Sequence, residues 1–116
     1  MKQTIEVDLK WFHFNQNNSG GRFIINDTVA EDVLIQARSA EEAINRATVL
    51  FEDYSDYCSC CGERWSYRVE DKEGTDDPTI HGVSVYEKTK QMFGENVRLH
   101  HYNGHVEALV LKDKAA

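Results

Sequence analysis

Arg38-Ser39-Ala40-Glu41-Glu42-Ala43-Ile44-Asn45-Arg46-Ala47-Thr48-Val49-Leu50-Phe51 is the stretch that decides the fold. Ser39 has the chemistry of a helix N-cap, and Glu42 stands three residues on. The pair predicts a capping box, in which each side chain satisfies one orphan backbone N–H of the first turn. Ala43, Ile44, Ala47, Leu50, Phe51 and Tyr54 then recur at helical spacing and make one apolar face. Ala43 and Ala47 are small enough to let that face approach a sheet closely. The pattern fades near Ser55 and hands the chain to Tyr57-Cys58-Ser59-Cys60-Cys61-Gly62-Glu63-Arg64-Trp65, which holds all three cysteines.

On both sides of this helix the periodicity drops to two. Ile5, Val7, Leu9 and Trp11 alternate with Glu6, Asp8 and Lys10, as in a half-buried strand over Thr4–Trp11. Phe12 and Phe14 then occupy the other face, which a bulge or a two-sided strand end explains. Asn15–Gly21 is polar and glycine-ended, hence a loop. Arg22–Ile25 and Val33–Ala37 read as strands around an acidic turn. Trp65, Tyr67 and Val69 alternate as in a strand. Asp71–Thr79, with Gly74 and Pro78, is a loop. Ile80–Tyr86 reads as a strand weakened at Gly82, and Glu87–Phe93 as a short helix ended by Gly94. Val97–Tyr102 and His105–Leu111 flank Asn103-Gly104, the dipeptide most typical of a two-residue hairpin turn. Strands, one long helix and more strands predict an α+β two-layer sandwich: a mostly antiparallel sheet, one helix packed on it and a C-terminal hairpin.

A two-residue turn pairs Tyr102 with His105, His100 with Glu107 and Leu99 with Ala108. Val97, Leu99, His101, Val106, Ala108 and Val110 then form the core face. Arg98, His100, Tyr102, His105, Glu107 and Leu109 form the other, with His100 and His105 as diagonal neighbours that can share a ligand.

The chain of 116 residues reads as one domain, 1–116, and can bury a modest core without staples. No run approaches the roughly 18 apolar residues of a membrane span. The acids near the N-terminus argue against an export signal. Three clustered cysteines are a poor disulfide framework and suit a reducing cytoplasm. With 13 basic against 20 acidic residues the net charge is −7, which argues against general binding to nucleic acid or anionic membranes.

Cys58 and Cys61 form a C-x-x-C pair, half of a zinc knuckle. His100 and His105 are the candidate second pair, and Cys60 can substitute for either cysteine. Because the motif follows a helix instead of opening one, the helix dipole does not favour a redox thiolate there. His100, His105 and Glu107 also have the makings of a base with its orienting carboxylate, so a metal- or His-dependent hydrolase is a further alternative. For ligand binding, Trp11, Trp65 and Tyr67 offer stacking faces, and Arg22, Arg64 and Arg68 offer charge for a phosphate or carboxylate. The bland alternative for both tryptophans is core packing.

The stretch Ala37–Ala43, the helix after it and the C-x-C-C-G-x-R-W block from Cys58 to Trp65 resemble a family of small proteins encoded by tailed bacteriophages. The resemblance spans residues 37–68. It implies a small binding protein of the host cytoplasm, acting in host takeover or counter-defence. Such a protein sequesters a nucleotide-derived immune signal or blocks a host protein, and a homo-oligomer fits that role. A structural-zinc module for protein interaction is the main alternative.

Overall fold

Helix α1 spans Ala40–Phe51 and starts at its expected cap, where the Ser39 hydroxyl accepts the Glu42 N–H at 3.1 Å. The reciprocal arm reaches one residue further back than a capping box predicts. Glu42 Oε1 accepts the Arg38 N–H at 2.9 Å, and its other oxygen accepts Arg38 Nε at 2.8 Å. A 3-10 turn over Glu52–Tyr54 ends the helix, close to the expected Ser55. The computed structural model describes residues 8–17, 23–54, 57–58, 62–67, 69, 72–80, 82–87 and 96–110, with 57–58 and 62–63 given as backbone.

The sheet against which α1 packs is built from β1 (Lys10–Asn15), β2 (Asp32–Ala37), β7 (Asn96–His100) and β8 (Val106–Val110). Its order is β1-β2-β7-β8. The β1–β2 and β7–β8 pairs are antiparallel, and β2–β7 is parallel. Two small hairpins stand apart from it: β3 (Tyr57–Cys58) with β4 (Gly62–Glu63), and β5 (Thr79–Ile80) with β6 (Val83–Ser84). The fold is α+β, with one α-helix among the described residues and mostly antiparallel sheet pairing.

Both faces of the sheet are buried, and this resolves the change of face after Trp11. Phe12 and Phe14 point toward α1, where they join Val33, Ile35, Ala43, Ala47, Phe51 and Trp65. Trp11 points the other way and packs with Leu34, Val97 and Leu99 against Ile80 and Val85 of the β5–β6 hairpin region. The strand is two-sided at Trp11 and Phe12, where a helix covers one face and a hairpin the other; further along, His13 is half-buried and Asn15 exposed on the hairpin side.

Several sequence expectations change. Residues 23–30 form no strand among the described residues. Their backbone turns instead around Asn26, whose side-chain oxygen accepts the N–H groups of Thr28 and Val29. Trp65 makes only a single bridge to Gln16, although Trp65, Tyr67 and Val69 do share the helix-side core. Gly82 does not weaken a strand. At φ +81° it turns the chain between β5 and β6. The part of the first strand before residue 8, the loop residues 18–22 and the short helix expected after Glu87 lie outside the described residues.

The largest correction is the C-terminal register. The connection is three residues, Tyr102-Asn103-Gly104, not two. His101 N–H donates to His105 C=O at 2.8 Å, and Gly104 N–H to His101 C=O at 3.0 Å. Gly104, at φ +95°, takes the left-handed position that ends such a turn. The observed partners are Leu99 with Glu107 and His100 with Val106. One residue of slip exchanges the faces of one strand relative to the other. Here it packs a half-buried Leu109 beside Val97, where the two-residue turn placed Leu109 on the exposed face.

Candidate functional site

The slip separates the expected histidine pair. In β7 the side chain of His100 points to the α1 face, as do Val106 and Ala108 across the ladder. His105 lies on the opposite face with His101 and Glu107, so His100 and His105 cannot share a metal or a substrate. Cys61 and Cys60 lie outside the described residues, and Cys58 is described only as backbone in β3. Among the described residues no group of three or more His, Cys, Asp or Glu side chains is arranged to hold a metal ion.

The aromatic and arginine candidates also divide. Trp65 is buried, stacks on Phe51 with ring centroids 3.9 Å apart, and donates Nε1–H to Tyr54 C=O at 3.0 Å. It is a core residue whose ring is not free to stack on a ligand. Trp11 is buried too, edge-on to His101 at 5.0 Å. Arg64 is buried and donates to Gln16 Oε1 at 3.0 Å. Gln16 also gives its amide N–H groups to Ile24 and Ala30 carbonyls, so Arg64 belongs to a knot that ties β1 to the 23–30 segment. Arg22 and Arg68 lie outside the described residues. Among the described candidates Tyr67 is the one that is only half-buried. It lines a wide groove of about 850 Å³ with Ala40, Ile44, Asn45, Ser66 and Lys72.

A second groove, of about 450 Å³, runs along the other flank of α1. Ile35, Val49 and Leu50 give it apolar walls, and Glu42, Asn45, Arg46 and His100 supply polar groups. His100 is buried, and its Nε2–H donates to Thr28 C=O at 2.6 Å. Burial is the largest influence on this imidazole and holds its pKa below the ordinary 6.5, helped by the charge of Arg46 and opposed by the Thr28 bond. The ring is therefore neutral at physiological pH. With Nε2 carrying the proton, Nδ1 is an acceptor. Arg46 gives one N–H to the Gln36 carbonyl and lies over the Tyr102 ring, 5.3 Å from its centroid. Glu42 is held by Arg38, whose hydrogen bonds lower the carboxyl pKa. The groove thus has apolar walls, one neutral acceptor at its floor, and at its rim the Arg46 cation and the Glu42 carboxylate that Arg38 pairs.

The opposite face carries a cluster that the two-residue turn concealed. His101 Nε2 lies 2.6 Å from Glu107 Oε1, and the Tyr86 hydroxyl donates to the same oxygen at 3.3 Å. The Tyr86 pKa is raised, first by burial and then by the Glu107 charge. The rings of His101 and His105 lie 5.4 Å apart. In the expected register His101 stood on the core face and Glu107 faced His100. A three-residue turn over the same Asn-Gly is the alternative that brings His101 to Glu107, and sequence alone does not choose between the two turns.

No curated protein and no solved structure matches the chain. A family model matches it over residues 9–116, and on that match the chain belongs to the family described as Domain of unknown function (DUF7296).

Proposed function

We propose that this protein acts by stoichiometric binding, holding a small ligand in the groove between α1 and the β2–β7 strands without transforming it. The observation that carries this reading is the groove's composition. Apolar walls from Ile35, Val49 and Leu50 surround a neutral imidazole, which is the usual make-up of a small-molecule site: mostly apolar, with a few converging polar groups. The ligand class we favour is nucleotide-derived. A planar base fits against Ile35 and Leu50, a base N–H suits His100 Nδ1, and Arg46 at the rim suits a phosphate. Arg46 thus takes the charge role that the sequence offered to Arg22, Arg64 and Arg68, and Ile35 and Leu50 the base-facing role it offered to Trp11, Trp65 and Tyr67. The resemblance to small tailed-phage proteins supports the setting: the cytoplasm of an infected host, where sequestering a nucleotide immune signal serves counter-defence. A host protein as the blocked target, and a zinc-held interaction module built on Cys58 and Cys61, are the alternatives.

Titration calorimetry against a panel of mono-, di- and cyclic oligonucleotides tests the proposal. Val49 is 74% exposed, so Val49→Glu fills the mouth of the groove and sets a like charge against a phosphate without touching the core. The expected result is binding by the parent protein and at least about tenfold weaker binding by the variant, a loss of about 1.4 kcal/mol. A panel with no binder removes the nucleotide assignment. Equal affinity in the variant removes the groove.

One observation favours a second reading, a small His-dependent hydrolase. Glu107 orients His101 as a carboxylate orients a general base. Incubation followed by denaturation separates the two readings, because a sequestering protein returns its ligand intact and a hydrolase returns products.

A further inference from the structure

The two edges of the four-stranded sheet are treated differently. The outer edge of β1 is covered: Trp11 exchanges both backbone hydrogen bonds with Thr75, at 2.8 and 3.1 Å, and Gln16 bridges Trp65. The outer edge of β8 pairs with no strand among the described residues. Its sequence is Val106-Glu107-Ala108-Leu109-Val110, without the lysine, proline or bulge that ordinarily blunts an edge. Ala108 is exposed, and Val110 is 58% exposed.

The hydrogen-bond alternation shows which groups this edge offers. The bond from His101 N–H to His105 C=O sets the phase. Antiparallel ladders alternate, so Glu107 and Leu109 spend their backbone groups on Leu99 and Val97. Val106, Ala108 and Val110 therefore aim theirs outward.

We propose that β8 is the interface of a homodimer, in which two copies pair antiparallel about a two-fold axis at Ala108 and extend the sheet from four strands to eight. The occupant argued for is a second copy, because this register pairs all five residues of β8 with outward groups matched, whereas an axis at Glu107 sets two carboxylates opposite and an axis at Leu109 leaves part of the strand unpaired. Val106 meets the partner's Val110, Ala108 meets the partner's Ala108, and Val110 meets the partner's Val106. All three pairs present outward N–H and C=O groups to one another. Their side chains form one apolar stripe on the α1 face. On the other face Glu107 stands opposite the partner's Leu109, so no like charges meet across the axis. The proposal does not rest on the ligand-binding reading.

An interface made by one strand lies at the small end of stable interfaces, and its dimer should titrate between about 1 and 200 µM. The test is sedimentation equilibrium of the full chain over that range, at about 0.15 M salt so that repulsion between two acidic copies is screened within about 8 Å. The 13.3 kDa chain should approach twice its mass with rising concentration. Ala108→Glu places two carboxylates face to face at the axis, while within one copy it adds a partner beside Arg98. Its expected mass is that of one copy throughout. Ala108→Pro removes an outward N–H, a change an edge strand tolerates, and it should also be monomeric with the parent's circular dichroism spectrum. A parent that stays at one copy overturns the proposal. So does a dimer that persists in both variants, or an assembly larger than two.

Discussion

His100 shows how one residue acquires a property that its neighbours in sequence do not suggest. It stands beside His101, yet the pleat sends the two rings to opposite faces. One is buried at the floor of the groove and bonded to Thr28 of the 23–30 segment, and the other meets Glu107 at the half-exposed hairpin end. Because burial lowers the folded-state pKa of His100 below 6.5, the unfolded chain binds the proton more readily. Stability from this group is complete above the unfolded pKa and is lost as pH falls through the folded one. The melting temperature should therefore drop between about pH 7 and pH 5, and His100→Gln should flatten that part of the profile relative to the parent. A parent and variant with parallel profiles would show that His100 carries no such linkage.

At the scale of elements, glycines mark where the chain must turn or approach another strand, but their weights differ. Gly74 sits at φ +73°, and an added Cβ would meet Lys10 Cβ at 2.5 Å and the Phe12 ring at 2.8 Å. This close approach lets Thr75 reach Trp11 and cover the β1 edge. Gly104 also has positive φ, but space around it is open. Gly104→Ala should cost only the left-handed penalty of about 1–2 kcal/mol. Gly74→Ala carries the same penalty plus a steric clash, so it should cost clearly more. Urea denaturation midpoints compare the two directly, and equal midpoints would refute the close-approach argument. Element identity was legible where period and cap chemistry agreed, as at Ser39 and through Ala43–Phe51. It failed at residues 23–25, and at 80–86 one expected strand proves to be two short paired ones. There an apolar run reads as strand, but an Asx turn at Asn26 and a positive φ at Gly82 take the backbone elsewhere.

Across the whole molecule, Phe51 ties three parts together. It lies against Phe14 of β1 at 6.0 Å, stacks on Trp65 beyond the cysteine motif, and approaches Tyr67 at 6.0 Å. Phe51→Ala should cost about 3–5 kcal/mol in chemical denaturation, because a fully buried ring leaves a cavity shared by helix, sheet and loop. A loss below about 1 kcal/mol would mean that the three parts do not share one core. The sequence by itself determined the helix and its cap, the apolar run of β2, the alternation of β7, the presence of a C-terminal hairpin and hence the α+β class, since these follow from local periodicity and turn chemistry. Only the tertiary structure decided which surfaces those elements meet. A hairpin on the second face buried Trp11, and a groove beside α1 formed around His100. One extra turn residue brought His101 to Glu107 and turned the backbone groups of Val106, Ala108 and Val110 outward. Those outcomes depend on packing between segments far apart in the chain, where a single residue of register exchanges the faces, and no local pattern encodes that choice.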